Sequence, residues 1–250
     1  LIHGLSDHAG RYRHVGSFFA DSGYTMIIPD LRGHGRSFGK RGHFPSFDIV
    51  MEDISLFMAE ARRRHPEMPV ILYGHSMGGN LVLNYLIRNM PRVAGAIVTS
   101  PWLRLNLKPA LYKAILAISA NRFFPSMTRP DGIIPSFLSH DEEVVRKYIA
   151  DPLVHSLISV RTYLEISRAG EYALKHAEKI GCPLLLMHVT DDRLTSFVAS
   201  REFSNRVVAN ITFKAWEGLY HELHNEIEKD EVLGFIRDWL DLTSLAQPPC

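Results

Sequence analysis

Short and almost wholly apolar segments, bounded by turn-forming residues, recur along the chain. They lie at residues 1–4, 24–30, 69–74, 93–101, 182–192 and 211–218. Such runs, with little alternation of polar and apolar positions, are typical of parallel strands covered on both faces. Segments with helical spacing of apolar residues separate several of them, at 47–64, 79–90, 197–208 and 231–240. Strands that alternate with helices predict a doubly wound α/β sheet.

The alternation stops between Leu103 and about Ile180, where no strand is evident. This stretch has helical character at 111–124, 144–150 and 159–174, and prolines interrupt it at 125, 130, 135 and 152. We therefore predict a core formed by residues 1–102 and 181–250, with residues 103–180 inserted as a helical lid, or cap. The alternative is a peripheral helical decoration with no role at a site.

Apolar residues of the inserted segment either line a site for an acyl chain or simply pack the lid onto the sheet, and the sequence leaves both interpretations open. These residues are Leu111, Ile115, Leu116, Ile118, Phe123 and Phe124.

Composition is that of a globular protein and narrows the functional classes only slightly. The chain has 250 residues, of which 46% are hydrophobic and 22% charged, and its net charge is +1. This length fits one large α/β domain or two small ones. A charge so near zero gives no electrostatic reason to expect a nucleic-acid partner. The only cysteines, Cys182 and Cys250, cannot form a disulfide framework.

The sequence contains no signal peptide and no apolar run long enough to span a membrane, which favours a cytoplasmic location. The chain opens on the end of an apolar strand without an initiating Met. We therefore expect that a preceding segment, which could carry a targeting signal, is missing.

The segment from Gly74 to Gly78 carries the strongest chemical signal. Its sequence, Gly-His-Ser-Met-Gly, matches the G-x-S-x-G nucleophile elbow and lies between an apolar strand and a helix, as that motif requires. Gly74 and Gly78 keep the tight turn free of side chains, and His75 and Ser76 lie at its apex. We predict that Ser76 is the nucleophile; a glycine-rich structural turn is the alternative.

A serine nucleophile needs a base and a group that orients the base. Asp192 follows the apolar run 182–189, and His221 follows the run 211–218, so both lie where parallel strands end. The chain order of serine, acid and histidine is the one expected for this elbow. We favour Asp192 over the adjacent Asp191, and His221 over His224.

Two backbone amides are candidates for the oxyanion hole, which stabilises the negative charge of an acyl-transfer intermediate. The amide of Met77 follows the nucleophile directly, and the amide of Leu5 lies in the loop after the first strand. We expect His3 to have a structural role in that loop. The histidines at 221 and 224 have a spacing that could suit zinc, but His221 already has a role, so we expect neither a metal nor a cofactor.

Seven stretches in the same order resemble the monoacylglycerol lipase and lysophospholipase branch of the α/β-hydrolases, which is sometimes grouped with the serine aminopeptidase S33 family. They are "HGLSDHAGRY" at 3–12, "PDLRGHGRS" at 29–37, "GHSMGG" at 74–79, "SPWL" at 100–103, "DPLV" at 151–154, "DDRL" at 191–194 and "EGLYHELHNE" at 217–226. The resemblance implies an α/β-hydrolase fold with an inserted lid. It places Ser76, Asp192 and His221 at the triad positions, and Leu5 and Met77 at the oxyanion donors.

The resemblance also implies a substrate: a lipid ester, such as a monoacylglycerol, that the enzyme cleaves through an acyl-enzyme intermediate. It further implies a lid that lines an acyl tunnel and makes transient contact with a membrane surface. A lysophospholipase and a broad carboxylesterase use the same chemistry and remain alternatives. A peptidase would need carboxylates to hold an α-ammonium, for which the run Asp141–Glu143 is a weak candidate. A ligand-binding protein without catalysis is the remaining alternative, and the oligomeric state is unknown.

Overall fold

A computed structural model describes residues 1–106 and 121–245 of the chain. Its strands are β1 (Ile71–His75), β2 (Gly95–Thr99), β3 (Thr128–Pro130), β4 (Leu157–Ser159), β5 (Leu184–Val189) and β6 (Ile211–Trp216). Its helices are α1 (Arg13–Asp21), α2 (Phe47–Arg64), α3 (Met77–Asn89), α4 (Glu142–Ala150), α5 (Val160–Lys175), α6 (Phe197–Ser204) and α7 (Lys229–Leu245).

The main sheet has the strand order β1-β2-β5-β6, and all its pairings are parallel. Buried side chains on its two faces form two hydrophobic clusters. One contains residues of α2, α3 and α5, and the other contains residues of α1 and α7. The predicted mostly parallel sheet covered on both faces is therefore confirmed, and all four strands end at the same edge.

Helix limits follow local signals where these are strong. The predicted helix at 47–64 is confirmed as α2, which begins after Ser46, whose hydroxyl accepts a hydrogen bond from the amide of Ile49. Arg62, Arg63 and Arg64 lie in its last turn, where positive charge suits the helix dipole. The predicted helix at 197–208 is too long, because α6 ends at Ser204 and Val208 is 82% exposed.

The first two apolar segments do not form full strands. Residues 1–4 contribute one parallel bridge between Ile2 and Gly74, and no strand is assigned within 24–30. The terminal amine of Leu1 donates a hydrogen bond to the carbonyl of Ile27 in this second segment. A single hydrogen bond does not make a ladder, so residues 24–30 remain irregular although Met26 and Ile28 pack against the core.

The inserted segment contains a feature that the sequence did not predict. Strands β3 and β4 pair antiparallel, and residues 131–156, which include α4, connect them. We call the two paired strands the cap hairpin, although no tight turn joins them. Each strand has only three residues, and neither carries a long apolar run, so no strand signal was visible. The predicted lid residues Leu111, Ile115, Leu116 and Ile118 lie outside the described residues. Phe123 and Phe124 are 71% and 65% exposed.

Helix α5, at the end of the insertion, packs directly on α3 of the core. Its residues Leu164, Ile166 and Ala169 are buried, and Ile166 and Ala169 belong to the main hydrophobic cluster. The side-chain amide of Asn84 also donates to the carbonyl of Ala169. The division into core and cap at residues 103–180 stays a prediction, and α5 is the part of that range that packs on the core.

Within residues 1–106 and 121–245, no helix combines the length and the apolar character needed to cross a bilayer.

Two helical glycines provide a matched test of this packing. A Cβ at Gly170 of α5 would lie 2.1 Å from the carbonyl oxygen of Leu103, whereas a Cβ at Gly234 of α7 would meet no atom within 4 Å. We expect Gly170→Ala to lower the free energy of unfolding by about 1–3 kcal/mol, because the backbone must move. Gly234→Ala is expected to raise it by roughly 0.5–1 kcal/mol, since alanine favours the helix. Urea unfolding measures both, and equal effects would contradict the packing of α5 on the core.

Candidate active site

Ser76 lies in the sharp turn between β1 and α3, and its backbone has a left-handed φ of 54° and a ψ of −118°. Neighbouring glycines make this turn possible. A Cβ at Gly74 would lie 2.5 Å from the carbonyl oxygen of Gly78, and a Cβ at Gly78 would lie 2.1 Å from the carbonyl oxygen of Ile2. Both distances are far below van der Waals contact, so the turn accepts only glycine at these positions.

The structure brings Ser76, His221 and Asp192 into one chain of hydrogen bonds. His221 Nε2 lies 2.9 Å from Ser76 Oγ, and His221 Nδ1 lies 2.7 Å from Asp192 Oδ2. His221 comes from the loop after β6, and Asp192 from the loop after β5. All three groups therefore meet at the edge of the sheet where the parallel strands end.

The Asp192 carboxylate is buried and has several polar partners besides His221. Oδ1 accepts from the amides of Leu194 and Thr195, at 2.8 and 2.9 Å. Oδ2 also accepts from Thr195 Oγ1 at 2.8 Å and lies 3.2 Å from Nε2 of the buried His188. Burial alone would raise the pKa of Asp192, but His221 and His188 hold that pKa well below its usual value. Asp191, in contrast, is exposed.

His221 is buried, and burial by itself lowers a histidine pKa. The negative charge and the hydrogen bond of Asp192 outweigh that effect, with a further contribution from Glu222 and Asp7, so the pKa of His221 is raised. The ring nitrogens of His224 have no hydrogen-bond partner among the described residues, and the ring stacks on that of Tyr12 with 4.6 Å between centroids. Burial lowers the pKa of His224 to about 4.

The loop after residue 3 passes close to the serine. A Cβ at Gly4 would lie 3.3 Å from the Cβ of Ser76, so Leu5 follows at a position beside the nucleophile. Among the described residues, the amides of Leu5 and Met77 have no hydrogen-bond acceptor. The ring of His3 contacts two backbone groups, the carbonyl of Gly4 and the amide of Leu31.

A buried ionic cluster beside the triad was not predicted from the sequence. Arg11 makes a two-pronged salt bridge to Glu222, with N–O distances of 2.7 and 2.6 Å, and a third contact to Asp7 at 3.0 Å. Tyr12 donates to Asp7, whose pKa falls to about 2 because Arg11 outweighs the effect of burial. The motif stretches 3–12 and 217–226 contain these residues, but only the fold shows that they pair.

A cavity of about 410 Å³ opens over Ser76. Much of its lining is apolar, and five charged residues also line it. The apolar lining includes Leu5, Trp102, Leu105, Ile133, Leu138, Ile158, Tyr163 and Leu194. The charged lining includes Asp7, Arg129, Asp131, Arg193 and Glu222. A reactive serine at the base of such a cavity can perform acyl transfer on a substrate with an apolar part and a polar part.

The run Asp141–Glu143, the candidate for holding an α-ammonium, does not line this cavity. Asp141 caps the start of α4, where its carboxylate accepts from the amide of Glu143, and Glu143 pairs with Arg146. The run Asp141–Glu143 therefore serves the helix terminus. Within residues 1–106 and 121–245, no group of three or more His, Cys, Asp or Glu side chains could hold a metal ion.

Comparison with known proteins connects this site to an enzyme family. The family described as serine aminopeptidase, S33, matches residues 1–228. A phospholipase of Bacillus subtilis is 32% identical, over 96% of this chain and 93% of its own. A monoacylglycerol lipase of Mycolicibacterium smegmatis is 33% identical, over 96% of this chain and 86% of its own.

A longer relative and a solved structure extend this likeness. An uncharacterized abhydrolase domain-containing protein of Dictyostelium discoideum is 39% identical over 96% of this chain, which spans only 26% of that protein's length. The crystal structure of the Paleococcus ferrophilus monoacylglycerol lipase superimposes with a TM-score of 0.90 at 31% identity. The match covers 97% of this chain and 93% of that one, so the fold is that of an α/β-hydrolase.

The raised pKa of His221 gives a pH dependence with a definite sign. Neutral His221 can accept the Ser76 proton, so phosphonylation of Ser76 by a fluorophosphonate should rise with pH through an apparent pKa above the ordinary value of about 6.5. In Asp192→Asn the histidine loses its carboxylate partner. The rise of the labelling rate with pH should then shift to lower pH. The maximal labelling rate should fall on the order of 10³- to 10⁴-fold.

The exposed neighbour serves as the control for that experiment. Asp191→Asn should label at nearly the wild-type rate with the same pH profile, since Asp191 does not contact His221. A large loss in Asp191→Asn, or an unshifted pH profile in Asp192→Asn, would contradict the assignment of Asp192.

Proposed function

This chain belongs to the serine aminopeptidase S33 family, and we propose that it is a serine ester hydrolase that cleaves monoacylglycerols to a fatty acid and glycerol. One observation carries the chemistry: the hydrogen-bonded chain from Ser76 through His221 to the buried Asp192, at the base of a cavity with extensive apolar lining. The substrate class is supported by the relatives and the solved structure named monoacylglycerol lipases.

The geometry supports a specific division of roles. His221 Nε2 takes the proton of Ser76 Oγ as that oxygen attacks the ester carbon, and Asp192 stabilises the resulting imidazolium. The amides of Leu5 and Met77 donate to the oxyanion. His221 then returns the proton to the departing glycerol oxygen, which leaves an acyl-enzyme. Water attacks that ester with the same base, releases the fatty acid and restores Ser76.

We propose that the apolar lining receives the acyl chain, with residues 103–180 acting as the cap over it. Trp102 lines the cavity from the end of the first core segment, Leu105 from the start of the insertion and Ile158 from the cap hairpin. Each methylene group moved from water into such a lining contributes about 0.8 kcal/mol. Binding therefore favours long acyl chains, and the carboxyl carbon comes to rest beside Ser76.

A lysophospholipid is the second candidate substrate, and two arginines favour it. Arg129 and Arg193 line the cavity, and neither has a salt-bridge partner among the described residues. Arg193 is held over the rings of Phe137 and Tyr220, at 4.8 and 5.1 Å, and Arg129 over Tyr163 at 5.4 Å. An unpaired guanidinium at this position can bind the phosphate of a headgroup.

The substrate class is tested by fatty-acid release from monooleoylglycerol, dioleoylglycerol and lysophosphatidylcholine, measured side by side. We expect monooleoylglycerol to be cleaved fastest, since the cavity is large enough for one acyl chain. Ser76→Ala should lose all measurable activity, and Ser17→Ala, at an exposed serine of α1, should keep it.

The two candidate substrates respond differently to loss of Arg193. Arg193→Ala should reduce lysophosphatidylcholine cleavage severalfold and leave monooleoylglycerol cleavage nearly unchanged if the guanidinium binds phosphate. Equal effects on both substrates would show that Arg193 does not recognise the headgroup. Release of no fatty acid by the wild-type chain would overturn the proposed activity.

We also propose a transient contact between the cap and a lipid surface. Phe123 and Phe124 are largely exposed, and Met127 beside them is 48% exposed. Exposed aromatic and apolar groups of this kind insert into the interfacial region of a bilayer.

The contact is tested by sedimentation with phosphatidylcholine and phosphatidylglycerol vesicles. Replacing both phenylalanines by serine should weaken binding severalfold, because their rings supply the apolar area. The control is Leu242→Ser in α7, a residue that is 70% exposed on another part of the chain. Wild-type protein that stays in the supernatant, or equal binding by both variants, would refute the proposal.

A further inference from the structure

Ser6, directly after the proposed oxyanion donor Leu5, has an unusual backbone conformation. Its φ is 61°, in the left-handed region, although it is not a glycine. For a residue with a Cβ this conformation costs roughly 1–2 kcal/mol. The side chain is also fully buried. A glycine would adopt this conformation without strain, so a serine here indicates that its hydroxyl has a role.

The hydroxyl of Ser6 contacts the inserted segment. It donates a short hydrogen bond to Asp131 Oδ2, and it lies 3.3 Å from Nδ1 of His155. Asp131 follows β3 directly and His155 precedes β4, so both belong to the ends of the cap hairpin. Of the two contacts, the bond to the carboxylate is the stronger, because its acceptor is charged.

Asp131 is itself held in place by the hairpin. Its amide donates to the carbonyl of Ser156 at 3.0 Å, and its other carboxylate oxygen accepts from the amide of Ile133 at 2.9 Å. The carboxylate therefore reaches Ser6 from a fixed point. Asp131 also lines the cavity over Ser76, so its contact with Ser6 lies at the site and not on a remote surface.

A second bond between the same loop and the insertion provides a comparison. His8 Nε2 lies 2.9 Å from Asp151 Oδ2. This bond also connects the loop after residue 3 to the inserted segment, but it acts three residues beyond Leu5. It can hold the cap near the loop without fixing the peptide between Gly4 and Leu5, which carries the Leu5 N–H.

From these contacts we infer that Asp131 is a positioning residue that acts through the Ser6 hydroxyl to hold the Leu5 amide toward the oxyanion. The inference rests on the proposed ester hydrolysis. Its consequence is that the oxyanion hole is complete only while the cap hairpin lies over Ser6. The core then supplies the nucleophile and base, and the inserted segment fixes one of the two oxyanion donors.

The test compares the variants Asp131→Ala, Ser6→Gly and Asp151→Ala on p-nitrophenyl acetate and p-nitrophenyl decanoate. Removing an oxyanion donor outright typically costs on the order of 10²- to 10³-fold in kcat. These variants free the Leu5 amide to move but do not remove it, so the loss should be smaller. We expect a loss of roughly 10- to 100-fold in kcat for Asp131→Ala and Ser6→Gly. KM should change less than about twofold, and Asp151→Ala should lose less than about threefold.

Acyl-chain length separates positioning from acyl binding. Loss of an oxyanion donor lowers kcat for acetate and decanoate by the same factor, because both esters form the same oxyanion. A loss that grows with chain length would mean that Asp131 shapes the acyl site, and would overturn the inference. So would an Asp131→Ala enzyme as active as Asp151→Ala.

The double variant Ser6→Gly/Asp131→Ala tests whether the two residues act as one unit. If Asp131 acts only through Ser6, the double variant should lose no more activity than either single variant. Ser6→Gly removes the Cβ together with the hydroxyl and so also relieves the backbone strain. It therefore remains informative even if Asp131→Ala unfolds.

Losses that multiply in the double variant would overturn the inference. Wild-type chain that releases no nitrophenol from either ester would instead refute the ester hydrolase itself. An active wild type with unaffected variants would refute only the role of Asp131.

Discussion

The close approach of chain segments around Ser76 is the constraint on which the rest of the site depends. The turn leaves no room for a Cβ at Gly74 or Gly78, since the carbonyls of Gly78 and Ile2 already occupy that space. The same crowding brings the segment from Ile2 to Leu5 against the start of α3. A positive φ at Ser76 is tolerated because packing on both sides fixes it. Ser76 and the loop after residue 3 are therefore positioned by one close approach of backbones.

Buried charge is the second element of the site, and it is arranged so that each charge has partners. Asp192 accepts hydrogen bonds from two amides and a hydroxyl as well as contacting His221. His221 and His188 keep its pKa low despite burial. The salt bridge between Arg11 and Glu222 connects the segment that follows the loop after residue 3 to the residue after His221. Removing one partner of such a pair leaves an uncompensated buried charge, which costs far more than the pair contributes. The Arg11–Glu222 salt bridge thus holds the N-terminal segment against the loop that carries His221.

The described part of residues 103–180 contributes to both the core and the site. Helix α5 buries its apolar face on α3, and the cap hairpin places charged and apolar residues over Ser76. The cap hairpin also contacts the loop that precedes α2, because the amide of Ser159 donates to the carbonyl of Gly42. These contacts give the cap fixed attachments at several points around the cavity. The polar contacts of Ser6 and His8 are the ones nearest to the proposed oxyanion donor.

The sequence by itself determined the order along the chain of the four parallel strands of the main sheet, the helices α2, α3, α6 and α7, and the position of the elbow. These features depend on local patterns: apolar runs, helical periodicity and the glycines around Ser76. It also narrowed the acid and the base to two candidates each. Local pattern failed for residues 1–4 and 24–30, which lack a ladder of partners, and for β3 and β4, which are too short to carry a strand signal. Helix α1 was not predicted either.

Only the tertiary structure decided which candidates meet. Asp192 and Asp191 are adjacent, and only their burial and distance from His221 distinguish them. Arg11 and Glu222 are 211 residues apart, and Ser6 and Asp131 are 125 apart. No pattern within a short window can indicate such pairs, because they form when the sheet, the helices and the insertion pack together. The chemistry of the site is thus encoded locally, and its alignment is set by long-range packing.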